Sequence, residues 1–257
     1  MLIVVLRLVG HQAGLPRETQ ESVQKLISIH KNWGDRMSTP GATIVAEPDD
    51  RKGGMKKAKS GEGYTLVPYL IHSSGLPTEK VYRLVALRLP SLQPQVQMQG
   101  IGLNLEGVAV CPGKPGTCTS EEGPNDPIDL IFPAAKGEVG HFALVSEDGQ
   151  SRAMFTVTPF PIRSTDKGCT LELQRLMPHA ELAYLAVSGL PPDSELRRSY
   201  EEEHEAKVKA DARGLYESAL LPAVKGKDHG ILTVNVTSAA CALHASMEWG
   251  TGSERPQ

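Results

Sequence analysis

A chain of 257 residues, 40% of them hydrophobic, has enough apolar side chains to form two hydrophobic cores of ordinary size. Its 27 basic and 30 acidic residues leave a net charge of −3, so the overall charge offers no reason to expect a nucleic-acid partner. The sequence also lacks an unbroken apolar run of about 18 residues, and it therefore predicts no transmembrane span.

The segment 1–10 is apolar and allows two interpretations. It is similar to the hydrophobic region of a secretory signal peptide, although Arg7 interrupts it and no basic residues precede it. The other interpretation is a short buried strand. Both hypotheses stay open on the sequence alone.

Residues 18–33 predict an amphipathic helix, because apolar side chains recur at helical spacing and Gly34 follows as a stop. The residues on the apolar face are Val23, Leu26, Ile27, His30 and Trp33. A strand fragment and a polar loop are expected between residues 41 and 60.

Three short signatures occur twice, in the same order, and predict an internal repeat. They are Ser-Gly-Leu-Pro at 74–77 and 188–191, Asn/Asp-x-x-Gly at 104–107 and 211–214, and Pro-Ala-x-Lys-Gly at 133–137 and 222–226. Each signature is typical of a turn between strands, since glycine accepts positive φ and Asn or Asp can bond to nearby backbone N–H groups.

The two copies differ in length between the second and third signatures. From Gly107 to Gly137 the chain advances 30 positions, whereas from Gly214 to Gly226 it advances 12. The extra residues contain Cys111 and Cys118. Because loops on a rigid scaffold commonly carry function, this insertion is where we expect a specialised role.

Apolar or alternating stretches between the turns predict strands at residues 64–71, 128–132, 142–145, 182–187, 206–210, 231–236 and 240–250. Residues 200–210 favour a helix by propensity, but their position in the repeat assigns 206–210 to a strand. The sequence thus predicts an all-β fold of two tandem immunoglobulin-like antiparallel sandwiches with a short N-terminal helix. We expect a leader and helix in 1–40, sandwiches in 41–164 and 165–250, and a polar tail in 251–257.

The four cysteines, Cys111, Cys118, Cys169 and Cys241, allow three pairings. Two Pro-Gly turns between the first two favour a local bridge, which could contribute about 2.5 kcal/mol. A bridge between the other two could contribute about 4 kcal/mol, and it is supported by analogy with neighbouring strands of immunoglobulin-like sandwiches. A zinc site is the weaker alternative, because the sequence has no C-x-x-C pair. Paired disulfides would place the protein in the periplasm, outside the cell or on its surface.

The oxygen-bearing residues of the insertion are the strongest candidates for a binding site. They are Glu121, Glu122, Asn125, Asp126 and Asp129. Clustered hard oxygen ligands suit calcium, but the spacing does not match an EF-hand, and an ordinary polar loop is the competing interpretation. The identity of any metal is unknown at this stage.

The chain carries none of the motifs G-x-S-x-G, H-E-x-x-H, G-x-G-x-x-G or the P-loop, so the sequence predicts no catalytic residue, no cofactor and no enzyme. The alternative is a hydrolase or metal-dependent enzyme with a site between the two domains. Clustering of His141, His179 or His229 with carboxylates in a cleft would favour that alternative.

The repeated signatures, together with a closing Cys241 before Glu-Trp-Gly at 248–250, resemble uncharacterised exported bacterial proteins with tandem immunoglobulin-like domains. The resemblance covers residues 64–250 and implies a fold and an extracytoplasmic location, but no catalytic residue. The expected function is a non-enzymatic binding or structural module for a protein or glycan at the cell surface. Assembly through free sheet edges is a third possibility, and the oligomeric state is unknown.

Overall fold

The structure of the chain is a computed structural model that describes residues 4–7, 17–34, 37–49, 58–59, 65–90, 92–120, 123–131, 133–177, 179–200, 205–223 and 227–250. Within these residues no helix is long and apolar enough to cross a membrane. The chain divides into two compact units. The first sandwich comprises Ser28–Ala134 and Gly140–Thr158, and the second sandwich comprises Met1–Ile27, Ala135–Val139 and Pro159–Gln257.

The elements are numbered in chain order, and the helix α1 covers Arg17–Asn32. The strands of the first sandwich are β2 (Thr43–Pro48), β3 (Ala58–Lys59), β4 (Thr65–Leu66), β5 (Tyr69–Ser74), β6 (Tyr82–Leu87), β7 (Pro94–Leu103), β8 (Ala109–Cys111), β9 (Asp126–Pro127), β10 (Asp129–Leu130), β11 (Gly140–Ser146) and β12 (Arg152–Val157). Those of the second sandwich are β1 (Val4–Arg7), β13 (Ile162–Asp166), β14 (Cys169–Arg175), β15 (Ala183–Ser188), β16 (Glu195–Tyr200), β17 (Ala206–Lys209), β18 (Tyr216–Leu221), β19 (His229–Ser238) and β20 (Ala242–Gly250).

In the first sandwich, one sheet has the order β10-β5-β2 and the other has the order β12-β11-β6-β7-β8-β9, while β3 and β4 form a small separate pair. All of these pairings are antiparallel. Buried and half-buried residues alternate along β6, so that Tyr82, Leu84 and Ala86 point to the interior. Such a period of two is what a strand with one buried face requires.

In the second sandwich, the sheets have the orders β1-β18-β15-β14-β13 and β17-β16-β19-β20. The alternation is strongest along β14 and β20, whose inward residues meet in one apolar core. That core includes Leu171, Leu185 and Val234, each fully buried. The disulfide between Cys169 and Cys241 lies within the same core and joins the start of β14 to the residue before β20.

The two sandwiches share one strand order. In the first, β2-β5-β10 faces β7-β6-β11-β12; in the second, β14-β15-β18 faces β17-β16-β19-β20. Consecutive strands in each unit therefore change sheets in the same sequence, which is the Greek-key arrangement of an immunoglobulin-like sandwich. The predicted all-β fold class is confirmed.

The first two repeated turn signatures occupy equivalent places in the two strand orders, whereas residues 224–226 of the third lie outside the described residues. Gly75 ends β5 and Gly189 ends β15, at φ values of +75° and +77°. A Cβ atom would approach the carbonyl oxygen of Gly41 to 2.2 Å at Gly75, and that of Gly168 to 2.2 Å at Gly189. Only glycine fits either position, because both the backbone conformation and the close approach exclude a side chain.

Most predicted elements lie where the sequence placed them. The helix covers Arg17–Asn32, one position earlier than predicted, and the charged strand predicted at 206–210 is present as β17. Val4–Arg7 pairs antiparallel with β18, as the short-strand interpretation of the N-terminal segment predicts. The tail 251–257 lies outside the described residues.

The strand predicted at 128–132 is wrong in an informative way. The chain instead forms β9 on one sheet and β10 on the other, and the buried Ile128 lies at the crossing between them. Phe132 lies outside the described residues. Cys169 begins β14, and β13 precedes that strand and pairs with it. The boundary predicted after residue 164 falls within β13, and the domain limits stay a prediction.

Candidate functional site

The insertion in the first sandwich, residues 111–126, is called the Cys-loop below. It connects β8 to β9, which pair with each other through Val110 with Pro127 and Cys111 with Asp126. Strand β8 in turn pairs with the end of β7. The loop therefore begins and ends on neighbouring strands at one edge of the larger sheet.

The Cys-loop is closed by a disulfide, with the Cα atoms of Cys111 and Cys118 5.0 Å apart. A turn over Lys114–Thr117 lies inside this ring: the Thr117 N–H donates to the Lys114 carbonyl (3.0 Å), and the Lys114 N–H donates to the Thr117 hydroxyl (2.9 Å). Both predicted pairings, this one and Cys169–Cys241, are thus present in the structure. All four cysteines are bonded in these two pairs, so none is free to act as a zinc ligand in this structure.

The disulfide ring lies directly against strand β7. The Cys118 N–H donates to the Gly100 carbonyl at 3.0 Å. A Cβ at Gly100 would lie 2.6 Å from the Cys118 nitrogen, and a Cβ at Gly102 would lie 2.7 Å from the Pro112 ring. Glycine within a strand often marks such a close approach of backbone, so Gly100-x-Gly102 was a usable signal in the sequence.

The described residues in the second half of the Cys-loop make hydrogen bonds to β8 and β9. The Asn125 N–H donates to the Cys111 carbonyl (2.7 Å), with Asn125 at a φ of 63°. The Ser120 hydroxyl donates to the Asp126 carboxylate at 2.7 Å. These bonds, the disulfide and the glycine contacts hold the loop on the sheet while Lys114, Pro115 and Gly116 remain exposed at its tip.

The structure brings only part of the predicted oxygen cluster together. Asn125 lies in the turn before β9 and the adjacent Asp126 is the first residue of β9, whereas Asp129 lies on β10, in the opposite sheet. Glu121 and Glu122 lie outside the described residues. Across the part of the chain that the structure describes, no group of three or more His, Cys, Asp or Glu residues could hold a metal ion.

The histidines considered for catalysis occupy different surroundings. His141 is buried in the first sandwich, where its Nε2 lies 3.0 Å from His30 Nδ1. Burial, and secondly the charge of His30, lower the pKa of His141 from 6.5 to about 3. His229, in the second sandwich, lies 2.8 Å from the carboxylate of Asp228 with both side chains largely exposed. The backbone carbonyl of His179 accepts a hydrogen bond from Gly250.

The contact of His141 with helix α1 was not found from the sequence. Trp33 follows the helix and meets the His141 ring edge-on, at 5.5 Å between centroids. Its indole N–H donates to the carbonyls of Phe142 (3.0 Å) and Phe155 (2.9 Å). The end of the helix is thereby attached to β11 and β12 through Trp33.

A second polar group missed by the sequence lies inside the second sandwich. Arg198 is 5% exposed, stacks 4.7 Å above the Tyr200 ring and donates to the hydroxyl of Tyr216. Burial raises the pKa of Tyr200 well above its usual range. These contacts stabilise the buried cation through aromatic faces and a hydroxyl rather than a carboxylate, and they describe an interior, not an open site.

No protein-family model matches the chain, and no curated protein is significantly similar to it. An open groove of about 390 Å³ lies beside β16, β17 and the end of β19, lined among others by Glu195, Arg197 and Lys207. It is shallow and carries charges of both signs. The Cys-loop, held by covalent and hydrogen bonds with an exposed tip, is the more defined candidate.

Proposed function

We propose that the chain is a non-enzymatic binding or structural module of an extracytoplasmic compartment, and that it contacts a protein partner through the tip of the Cys-loop. The observation that carries the proposal is the attachment of this loop to β7. The disulfide and the contacts at Gly100 and Gly102 hold the exposed Lys114-Pro115-Gly116 tip in one conformation. Preorganisation lowers the entropic cost of binding, as it does for other loops on rigid sandwiches.

The extracytoplasmic location is supported by the cysteines. Both cysteine pairs are bonded, one in a surface loop and one in a core. Structural disulfides persist in oxidising compartments and are rare in reducing ones. A periplasmic, secreted or cell-surface location is therefore proposed, because it accounts for all four cysteines being in disulfides.

A protein partner is favoured over a glycan by the composition of the loop. Sugar recognition usually relies on aromatic rings that stack on the pyranose face. Residues 111–127 contain no aromatic residue, and Trp33 and Trp249 are engaged in packing. The tip instead consists of one lysine, one proline and one glycine. It can be recognised by a partner through its fixed shape and a single positive charge.

We further propose that the two sandwiches are a tandem repeat related to exported bacterial immunoglobulin-like modules. The matched strand order supports this, and so do the two Asx turns. Asn104 Oδ1 accepts N–H bonds from Glu106 and Val108, and Asp211 Oδ1 accepts them from Arg213 and Leu215. Turns this similar at equivalent positions are the expected product of duplication.

Peptide mass spectrometry of unreduced protein from the native host tests the location. We expect Cys111–Cys118 and Cys169–Cys241 cross-linked peptides in an extracytoplasmic fraction. Recovery of four free thiols in the cytoplasmic fraction would overturn the proposal.

Binding of the fluorescently labelled chain to native-host cells tests the loop. The variant Cys111→Ala with Cys118→Ala keeps every other residue of the loop but opens the ring, and we expect it to lose at least about tenfold in affinity. The matched control, Lys227→Ala, removes a lysine from the second sandwich and should bind as the unaltered chain does. Equal binding by the opened loop would show that the loop is not the contact.

A further inference from the structure

Strand β18 is the outermost strand of its sheet within the second repeat, and residues 4–7 pair with its outer side. The register runs without a shift from Val4 opposite Leu221 to Arg7 opposite Ser218. The inner side of β18 pairs with β15. In the first sandwich the equivalent strand, β10, pairs only with β5 among the described residues. A strand from outside the repeat therefore completes one sheet of the second sandwich.

The edge that β1 covers has no protection of its own. Residues 218–221, called the β18 edge below, read Ser-Ala-Leu-Leu and contain no charge, and Pro222 follows only after the last pair. Natural edge strands are usually protected from association by charges, prolines or a covering element. On the other sheet of the same sandwich, the edge strand β17 carries exposed Lys207 and Lys209 and has no covering strand among the described residues. The β18 edge relies on a covering strand instead.

Strand β1 is a small covering element. It has four residues and, within the described part of the chain, one neighbouring strand. Its ladder hydrogen bonds come from one side only, and they must offset the entropic cost of ordering the segment. Such a strand is held by a small margin of free energy and opens more readily than the core of the sheet. It can therefore be exchanged for a competing segment of the same kind.

The residues of β1 show which kind of segment the β18 edge accepts. Val4, Val5 and Leu6 are apolar and two of them are β-branched, which suits a strand on a buried surface. The register places Val5 opposite Leu220, a member of the core of this sandwich. In strand addition, main-chain hydrogen bonds supply affinity, and the side chains at alternate positions supply specificity. The β18 edge thus favours an extended segment with apolar side chains.

We propose that the β18 edge is a strand-acceptor site for a protein partner, which adds an extended apolar segment antiparallel to β18 in the place of β1. In the free chain β1 occupies the site and competes with the partner, since a tethered segment has an effective concentration in the millimolar range. Displacement or removal of β1 opens the site. It lies in the second sandwich and does not depend on what the Cys-loop binds.

Anisotropy of a fluorescently labelled peptide with the sequence of residues 1–10 measures binding to this site. In the full-length variant Val5→Pro with Leu6→Pro, β1 is lost, because one of these two N–H groups points to β18 and proline removes both. We expect this variant to bind the peptide at least about tenfold more tightly than the wild-type chain, since the tethered competitor is gone. The control Glu254→Pro with Arg255→Pro adds two prolines in the polar tail and should bind as the wild-type chain does.

Two further measurements separate strand addition from non-specific contact and from misfolding. A peptide with proline at its fifth and sixth positions should not bind the variant, because it cannot form the ladder. In an isotopically labelled wild-type chain, an excess of unlabelled peptide should accelerate amide hydrogen exchange at residues 4–7. The protected amides of the β18 edge should stay protected, because the peptide replaces β1. This second measurement requires no variant to fold.

The proposal is overturned if the folded double-proline chain binds the peptide no more tightly than the wild-type chain, or if the proline-substituted peptide binds equally well. If the double-proline chain unfolds, the exchange measurement decides alone, and unchanged exchange at residues 4–7 overturns the proposal. Self-association of the wild-type chain that Val5→Pro with Leu6→Pro abolishes would also overturn it, because β1 of a second copy would then be the occupant.

Discussion

The two sandwiches use the same strand order but differ at one edge of the equivalent sheets. In the first, β8, β9 and the disulfide-closed Cys-loop continue the sheet beyond β7. In the second, the equivalent strand, β17, is short, forms the edge and carries exposed lysines. At the opposite edge the two are alike. Ser38 and Thr39 side chains accept N–H bonds from β12, and Ser164 and Asp166 side chains accept them from β20.

This comparison shows which parts of the architecture tolerate change. Two features recur in both units: the turns between strands, and the side chains that accept N–H bonds from the last strand, β12 or β20. Each of them satisfies backbone groups that would otherwise be unpaired. The connection between the fourth and fifth strands of that order, β7 and β10 in the first sandwich and β17 and β18 in the second, only has to cross from one sheet to the other. Length can be added there without disturbing the core, and that is where the Cys-loop lies.

The two tryptophans allow the stability of each sandwich to be measured separately. The chain has only two, Trp33 in the first sandwich and Trp249 in the second. Fluorescence of Trp249→Phe therefore reports on the first sandwich, and that of Trp33→Phe on the second. Each prediction below uses urea unfolding with these reporters.

The largest effect is expected for the core disulfide. Cys169→Ala with Cys241→Ala opens a link of 72 positions, and it should lower the stability of the second sandwich by about 4 kcal/mol. Opening the Cys111–Cys118 link, of 7 positions, should lower that of the first by about 2.5 kcal/mol. A larger loss from the loop than from the core would show that the Cys-loop is part of the folding core and not an addition to it.

The two turn glycines should respond alike. Gly75→Ala and Gly189→Ala each force a Cβ towards a carbonyl oxygen at positive φ, so each should destabilise its own sandwich by about 2–3 kcal/mol. Gly149→Ala is the control, because its φ is +71° but no atom lies within 4 Å of the added Cβ. It should lose only about 1 kcal/mol. Unequal effects at Gly75 and Gly189 would break the structural equivalence of the two turns.

Lowering the pH should reduce the stability of the first sandwich through the protonation of His141, which has no equivalent effect on the second sandwich. Its folded pKa is lowered to about 3 from 6.5, so between these values the unfolded state binds more protons than the folded state. The stability of the first sandwich should therefore fall as the pH drops below 6.5, by up to about 2 kcal/mol between pH 6.5 and pH 5. His141→Leu should remove that slope. If the variant retains it, another group is responsible.

The features that could be predicted from the sequence are those that depend on neighbouring residues in the chain, such as turns and the helix. The turns at Gly75 and Gly189 could be located because only glycine suits them, and α1 could be located from its apolar spacing. The assignment of β17 needed more, because the propensity of residues 206–210 favours a helix. Its position between two repeated turns outweighed that local preference.

Features that depend on distant partners were beyond the sequence. Asp126 and Asp129 are three positions apart, yet they belong to opposite sheets because the chain crosses at Ile128. His30 and His141 are separated by 111 positions, and no pattern in the chain pairs them. The residue of β7 at which pairing with β8 begins, Gly102, is likewise known only from the sheet register.

The smallest effect is expected in the Asx turns. It tests whether the side chain of Asn104 contributes to stability or only adopts the same geometry as Asp211. Asn104→Ala removes the acceptor of two backbone N–H groups and should lower the stability of the first sandwich by about 1 kcal/mol. Asn104→Asp keeps the acceptor and copies only the backbone contacts of Asp211, whose pKa is lowered first by the Leu215 backbone N–H and then by Arg213; Glu106 stands in the position of that arginine. Because a carboxylate with a lowered pKa stabilises above its unfolded pKa and loses that contribution on protonation, Asn104→Asp should match wild type at neutral pH and weaken only in acid. An unchanged urea midpoint for Asn104→Ala would mean that glycine and the strand register form this turn without the side chain.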